Sequence, residues 1–343
     1  MPKVLFDCDT GIDDSLALLY LLAHPEVTLL AVLSTAGNVP AQQVSQNNLG
    51  WLELVGRDDL EVCLGADAPL ATPLMTTEDT HGPLGVGYAE LPTPRRAESH
   101  RTAAQAWSEI TRAHPGEVVG LVTGPATNLA LAIRGDPGIP ARLRRLVLMG
   151  GAFHHAGNTT PTSEWNVAVD PEAWHEVLHA YEELAGTGVA LPILCPLDLT
   201  ETVEMTPDHL LRLADAAGST PAEALSADDP DGGRSVASNP LVRAFTDAVR
   251  FYFEFHREHD SGYIAHMHDP FAAAVAVDPT VATLLDAPVD VELTGSLTRG
   301  TTVADHRHMW GRPDNARIAV ATDPAAFFDR MIDTVGGYAR DLA

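Results

Sequence analysis

Val4-Leu5-Phe6-Asp7-Cys8-Asp9-Thr10-Gly11-Ile12-Asp13-Asp14 is the stretch whose reading decides the fold. Val4–Phe6 is a short apolar run that ends in carboxylates and Gly11, and Asp13-Asp14 then opens the apolar-rich segment Ser15–Ala23, so the order is strand, loop, helix. After His24-Pro25 comes Val27–Leu33, a continuous apolar run of the kind found in a strand buried on both faces, which ends in Ala36-Gly37-Asn38. The unit recurs. Val118–Val122 leads into Thr123-Gly124-Pro125 and a helix near Ala126–Arg134, and Leu146–Met149 leads into Gly150-Gly151. Such alternation predicts an α/β fold with an open, mostly parallel sheet covered by helices.

Helix starts are marked where Asp170-Pro171, Asn239-Pro240, Asp269-Pro270 and Asp323-Pro324 each offer a capping side chain before a proline at the first helical position. Ala66–Glu90, Ala152–Asn166 and Ala227–Ser238 are rich in Gly, Pro, Ser, Thr or Asp without periodicity and read as long loops, which usually carry function or mobility. The last third is less regular, with Val289–Leu293 and Ala316–Ala321 as further strands. No linker interrupts the chain, so residues 1–343 read as a single domain.

Lys and Arg number 21 against 47 Asp and Glu, a net charge of −26, which argues against a surface that collects nucleic acid or anionic lipid. No uncharged apolar run approaches the roughly 18–20 residues of a membrane span, and the start lacks the layout of a secretory signal, so a soluble cytoplasmic protein is expected. Cys8, Cys63 and Cys195 fit neither a disulfide framework nor a CxxC site and read as small buried residues.

Asp7, Asp9, Asp13 and Asp14 place four carboxylates after a strand and before a helix, where open parallel sheets bind ligands. Unit charges about 4 Å apart interact by roughly 4 kcal/mol at an effective dielectric of 20, whereas a helix N-terminus returns only about 0.3–1 kcal/mol per carboxylate. A bound cation closes that gap. Oxygen ligands with no Cys or His at zinc-like spacing call for a hard cation, Ca²⁺ in a protein-built cage or Mg²⁺ where waters or phosphates complete the shell. The two aspartates two apart also fit haloacid-dehalogenase-like phosphatases, in which Asp7 would be the nucleophile with Mg²⁺; Gly11 at the fifth position and the paired Asp13-Asp14 do not suit that scheme.

The run Asp7–Asp14 resembles the N-terminal signature of the inosine–uridine preferring nucleoside hydrolases. In the same order as in that family follow Ala36-Gly37-Asn38, His81-Gly82-Pro83-Leu84-Gly85, Thr123–Asn128, Met149-Gly150-Gly151, Gly157-Asn158, Glu164-Trp165-Asn166 with Asp170-Pro171-Glu172, and His268-Asp269-Pro270. Thr10, Trp165 and Val86 depart from the usual Pro, Phe and Leu without removing a polar group, and no motif follows residue 280 or so. The resemblance implies a Rossmann-like fold, a tightly bound Ca²⁺, and hydrolysis of ribonucleosides to ribose and free base. It also implies self-association as a dimer or tetramer.

Cleaving an N-glycosidic bond leaves an oxocarbenium-like ribosyl group, so the site needs an activated water, a negative surround, a grip on the hydroxyls and help for the departing base. By resemblance Asp9 is the general base and a metal ligand, with Asp14, the carbonyl of Thr123 and Asp269 as further ligands. Asp13, Asn38, Asn158, Glu164 and Asn166 are assigned to the sugar, and Asp7 stands behind the site as an orienting group. His268 beside Asp269 is the expected leaving-group acid, able to titrate near neutral pH; His81 is expected to touch substrate. His154, His155 and His266 read as bystanders. Phe251, Tyr252, Phe255 and Tyr263 could flank the base or simply pack a helix, and base preference stays open.

Overall fold

A computed structural model describes all 343 residues. The first half lays down β1 (Lys3–Cys8), α1 (Ile12–Ala23), β2 (Thr28–Ser34), α2 (Ala41–Leu54), β3 (Glu61–Leu64), α3 (Glu78–His81), α4 (Ala103–Ala113), β4 (Val118–Val122), α5 (Thr127–Gly135), α6 (Ile139–Arg142) and β5 (Leu143–Met149). Next come α7 (Trp165–Val169), α8 (Pro171–Glu182), β6 (Ile193–Cys195), α9 (Leu197–Thr200), β7 (Glu204–Met205), α10 (Pro207–Ala216), α11 (Pro240–Glu258), β8 (Ala265–His266) and α12 (His268–Val277). The chain ends with β9 (Ala282–Ala287), β10 (Val289–Val291), β11 (Thr302–Ala304), β12 (Ala316–Thr322) and α13 (Pro324–Leu342).

Eight strands form one sheet in the order β3-β2-β1-β4-β5-β6-β12-β9. Its neighbours pair in parallel except at the β12–β9 edge, which is antiparallel. From β1 the chain winds outward through β2 and β3, then crosses back to β4 on the other side. The carboxyl end of β1 therefore sits at the reversal of strand order, where a crevice opens.

Each face of the sheet has its own apolar core. Leu16 and Leu19 of α1, Val275 of α12 and Met331 of α13 pack on one face, and Trp107 of α4, Leu129 of α5 and Trp174 of α8 on the other. Every residue of α1 from Ile12 to Leu22 is buried, the expected state of a helix that is apolar all round. Helix α1 lies along α12, which is buried almost throughout. This packing carries the site, because both helices begin at the β1 crevice with carboxylates in their first turns.

Asp170, Asn239 and Asp323 cap α8, α11 and α13 as their Asx-Pro pairs predict. Asp269 does not. Helix α12 begins two residues earlier, at His268, with Met267 at the cap and no side-chain cap bond, so the Asp269 carboxylate is free to face the other acids. The expected strand Val289–Leu293 shortens to β10 and pairs with β11 outside the main sheet. The 66–90 loop contains α3, and α7 begins at Trp165. All three cysteines are buried and unpaired, and no helix is long and apolar enough to cross a membrane.

Candidate active site

Strand β1 directs Asp7 into the α4–α5 face of the sheet. Its Oδ2 accepts from Trp107 Nε1 at 2.7 Å and its Oδ1 from Asn128 Nδ2 at 2.8 Å. Burial still pushes its carboxyl up to about 7 against those two bonds. With both oxygens committed and no exposure, Asp7 cannot attack a substrate, so the phosphatase alternative is withdrawn. Asp7 instead stands behind the crevice and ties β1 to α4 and α5.

Asp9, just past the strand, lines the crevice itself. Its Oδ2 accepts from the backbone N–H of Asn38 at 2.8 Å, while its Oδ1 is buried without any partner. Gly37 makes this approach possible, since a Cβ there would lie 2.1 Å from Asp9 Oδ2. Asp14 is held from two sides: Oδ1 accepts from the Thr123 hydroxyl at 2.6 Å, and Oδ2 accepts from Gly11 N–H at 2.8 Å and from Asn38 Nδ2 at 3.3 Å. So Asp14 closes the first turn of α1 and faces the crevice at once.

Asp13, Asp14 and Asp269 present carboxylate oxygens within 4.8 Å of one another, all buried. Asp9 lies against this group. Burial first, then repulsion from Asp14, holds the Asp9 carboxyl well above its usual range; burial and the neighbouring acids do the same to Asp269 and push Asp13 to about 7. Asp14 is raised by burial too, against its bonds to Thr123 and Gly11.

The remaining wall comes from the loop after β5. Glu164 caps α7, its oxygens accepting from the backbone N–H groups of Asn166 (2.8 Å), Val167 (3.1 Å) and Gly151 (3.1 Å). Burial nevertheless lifts its carboxyl to about 7. Asn166 donates from Nδ2 to the Thr123 carbonyl at 2.6 Å, leaving its Oδ1 buried and unpartnered, as is Asn38 Oδ1. The carbonyl expected to ligate metal is thus shared with Asn166. Asn158 Oδ1 accepts from Trp165 N–H at 2.9 Å, so Asn158 also serves as a turn former.

These groups open onto one cavity of about 310 Å³ that Asp9, Asp13, Asn38, Glu164, Asn166 and Asp269 line at one end. No lysine or arginine lines it. His81 is buried there, its Nδ1 accepting from Ile12 N–H at 3.1 Å, and burial lowers its imidazole to about 3. His268 Nδ1 meets Thr200 Oγ1 at 2.8 Å. Burial, then the imidazoles of His266, His256 and His81, hold His268 well below its usual value.

The family model described as inosine-uridine preferring nucleoside hydrolase matches residues 4–329. The chain belongs to this family. A pyrimidine-specific ribonucleoside hydrolase RihA from Shewanella sp. (strain ANA-3) is 32% identical over 98% of this chain and 96% of its own length. The inosine-uridine preferring nucleoside hydrolase of Crithidia fasciculata is likewise 32% identical, over 98% of each chain. Among solved structures, the purine-preferring ribonucleoside hydrolase from Gardnerella vaginalis superposes with a TM-score of 0.85 at 26% identity, covering 99% of both chains.

Within this nucleoside hydrolase frame the donor set fits a hard divalent cation. The converging oxygens carry more negative charge than the protein compensates, and Asp9 Oδ1 is oriented by nothing in the chain. Sequence reasoning placed Asp9, Asp14, Thr123 and Asp269 around the ion and Asp13 on the sugar; the group whose oxygens lie within 4.8 Å of one another is Asp13, Asp14 and Asp269, with Asp13 inside it and Asp9 beside it. At the far end of the cavity it named Tyr252 and Phe255 but missed the polar residues beside them. His266, set aside as a bystander, lines it together with Tyr252, Phe255, His256 and Glu201, and His155 lies 3.5 Å from Glu201 Oε2. Of the other aromatic candidates, Phe251 packs on Tyr88 and Tyr263 on Phe253.

Proposed function

We propose that this protein hydrolyses the N-glycosidic bond of ribonucleosides, with Asp9 as general base and Ca²⁺ held by Asp9, Asp14, Asp269 and the Thr123 carbonyl. The observation that carries the reading is the meeting of buried Asp9, Asp13, Asp14 and Asp269 at the switch point of the sheet, with no protein cation among them. Calcium fits better than magnesium because the chain itself provides so many of the oxygens. When bound, the ion supplies Lewis-acid polarisation of the attacking water and the positive charge that keeps these carboxylates ionised.

Asp9 Oδ1 then takes the water's proton, while its Oδ2 stays fixed by Asn38 N–H. Asp13, Asn38, Asn158, Glu164 and Asn166 orient the ribose hydroxyls, a positioning effect worth up to about 7–11 kcal/mol of barrier. The carboxylates also favour the positive charge that develops on the sugar. His268 takes up a proton from solvent as the growing negative charge on the departing base raises its proton affinity, and passes that proton to the base nitrogen; His81 steadies the same group. A cavity without lysine or arginine suits a substrate that carries no phosphate.

We further read the protein as cytoplasmic, on its three unpaired cysteines, and as a homo-oligomer, with exposed Leu297, Met309 and Trp310 as contact candidates. Time courses of reducing-sugar release across purine and pyrimidine ribonucleosides, with and without a calcium chelator, test the function. Release that stops with the chelator and with Asp9→Ala is expected. A folded protein that binds calcium yet frees no ribose from any nucleoside ends this reading.

A further inference from the structure

The sugar and metal assignments account for every carboxylate of the cavity wall except one, Glu201. It terminates α9 directly after Thr200, whose hydroxyl meets His268 Nδ1, so the backbone fixes it near the leaving-group end. Its side chain is partly buried, with Oε2 3.5 Å from His155 Nε2 on the loop that also carries Asn158. Tyr252 and Glu201 line the same cavity as Asp13 and Asp269.

His81, His256 and His266 share the cavity lining with Glu201, and backbone contacts fix the hydrogen-bonding roles of the first two. His256 Nδ1 lies 2.9 Å from the Tyr252 carbonyl, which can only accept; that nitrogen therefore carries the proton and Nε2 is an acceptor. His81 Nδ1 accepts from Ile12 N–H, so its Nε2 is a donor. His266 Nδ1 is buried and has no partner. Burial lowers all three imidazoles and also raises the Glu201 carboxyl, an effect that His155 beside it opposes.

A ribonucleoside seated with its sugar on Asp9, Asp13 and Asn166 sends the opposite edge of its base toward this wall. In a pyrimidine that edge is C4 and in a purine C6, the positions that carry an amine in cytosine and adenine and a carbonyl in uracil and hypoxanthine. An ionised carboxylate only accepts hydrogen bonds. It pairs with an amine and repels a carbonyl oxygen, combining attraction and rejection in one residue.

We propose that Glu201 is a specificity-determining residue that accepts a hydrogen bond from the exocyclic amine of the base and disfavours bases with a carbonyl at that position. The proposal rests on the nucleoside hydrolase reading and sharpens it, since it sets cytidine above uridine and adenosine above inosine, unlike the preference in the family's name. The test measures kcat/KM for these four nucleosides with the wild type, E201Q, E201A and E201D, and calorimetric binding of cytidine and uridine to each.

The wild type should favour the amine member of both pairs. E201Q and E201A should lower the amine-to-carbonyl ratio about 10-fold or more, the scale of one charge-assisted hydrogen bond, and E201D should restore part of it. A ratio unmoved in E201Q, or a fall shared equally by all four substrates, overturns the proposal while ribose release keeps the hydrolase reading. Glu201-dependent binding of cytidine without any turnover does the reverse. Absence of both binding and turnover removes both.

Discussion

Replacing Asp269 by Asn separates the two costs that the acidic cluster carries. With ligand oxygens within 4.8 Å, each pair of ionised carboxylates repels by about 3.5 kcal/mol or more at an effective dielectric near 20. Without a divalent ion, Asp269→Asn relieves part of that repulsion, so in chelator the variant should melt no lower than the wild type. With calcium the order reverses. An ion at about 1,000 times its Kd stabilises the folded wild type by about 4 kcal/mol. An unfolding entropy of about 2.1 cal/mol/K per residue gives about 0.7 kcal/mol/K for 343 residues, so the wild-type Tm should rise by about 6 °C. The variant, with a ligand removed, should rise by less than about 2 °C under the same conditions. Thermal melts of both proteins in chelator and in excess calcium provide the four numbers. A variant that melts several degrees lower in chelator, and still gains the full shift with calcium, would show that Asp269 is a structural residue outside the ion's shell.

Other outcomes follow from the same geometry. Gly37→Ala drives a Cβ against Asp9 Oδ2 and should cost about 10²-fold or more in kcat with a small change in Tm, read by kinetics beside a melt. Asp7→Asn turns one oxygen into a donor facing Trp107 or Asn128, leaving a buried pair unsatisfied; a loss of about 1–3 kcal/mol in denaturant unfolding is expected, without the complete loss of activity due for Asp9→Ala. Uridine 5′-monophosphate should turn over far more slowly than uridine, because the phosphate meets a cavity with carboxylates and no lysine or arginine. Arg312 bonds to Glu182 and holds its carboxyl below the usual value, so the native state binds the proton less readily than the unfolded chain and the pair stabilises at neutral pH. Arg312→Ala should therefore cost about 1 kcal/mol or less at pH 7, a difference that fades as the pH falls through the lowered pKa of Glu182.

The parallel sheet was legible because buried strands read as unbroken apolar runs, and Val118–Val122 is β4 to the residue. The acidic loop was legible for a different reason. Four carboxylates between a strand and a helix have no structural use that needs all of them, and Asp7, the only one with a purely structural role here, is also the only one that lies inside the strand. Where the sequence misled, two uses of one residue type competed. Asp before Pro is the signature of a helix cap, and at positions 170 and 323 it is one. At position 269 the helix starts two residues sooner, which moves the carboxylate from the cap into the first turn, and local pattern cannot register a two-residue shift set by packing against α1.

Glu201, His256 and His266 escaped notice because nothing local marks them. Glu201 ends a four-residue helix, His266 sits in a two-residue strand, and His256 lies on a helix face whose aromatic spacing packing alone would explain. Only the crossing of α9, β8 and α11 beside the crevice makes them one wall. The asymmetry has a physical origin. The sugar end must hold four like charges together, and that demand concentrates acids in short, recognisable stretches. The base end needs only single hydrogen bonds, each of which any nearby element can provide. In a fold whose sugar subsite is fixed by the sheet's switch point, substrate preference can therefore change by one substitution on α9 or α11 without disturbing the carboxylates that do the cutting.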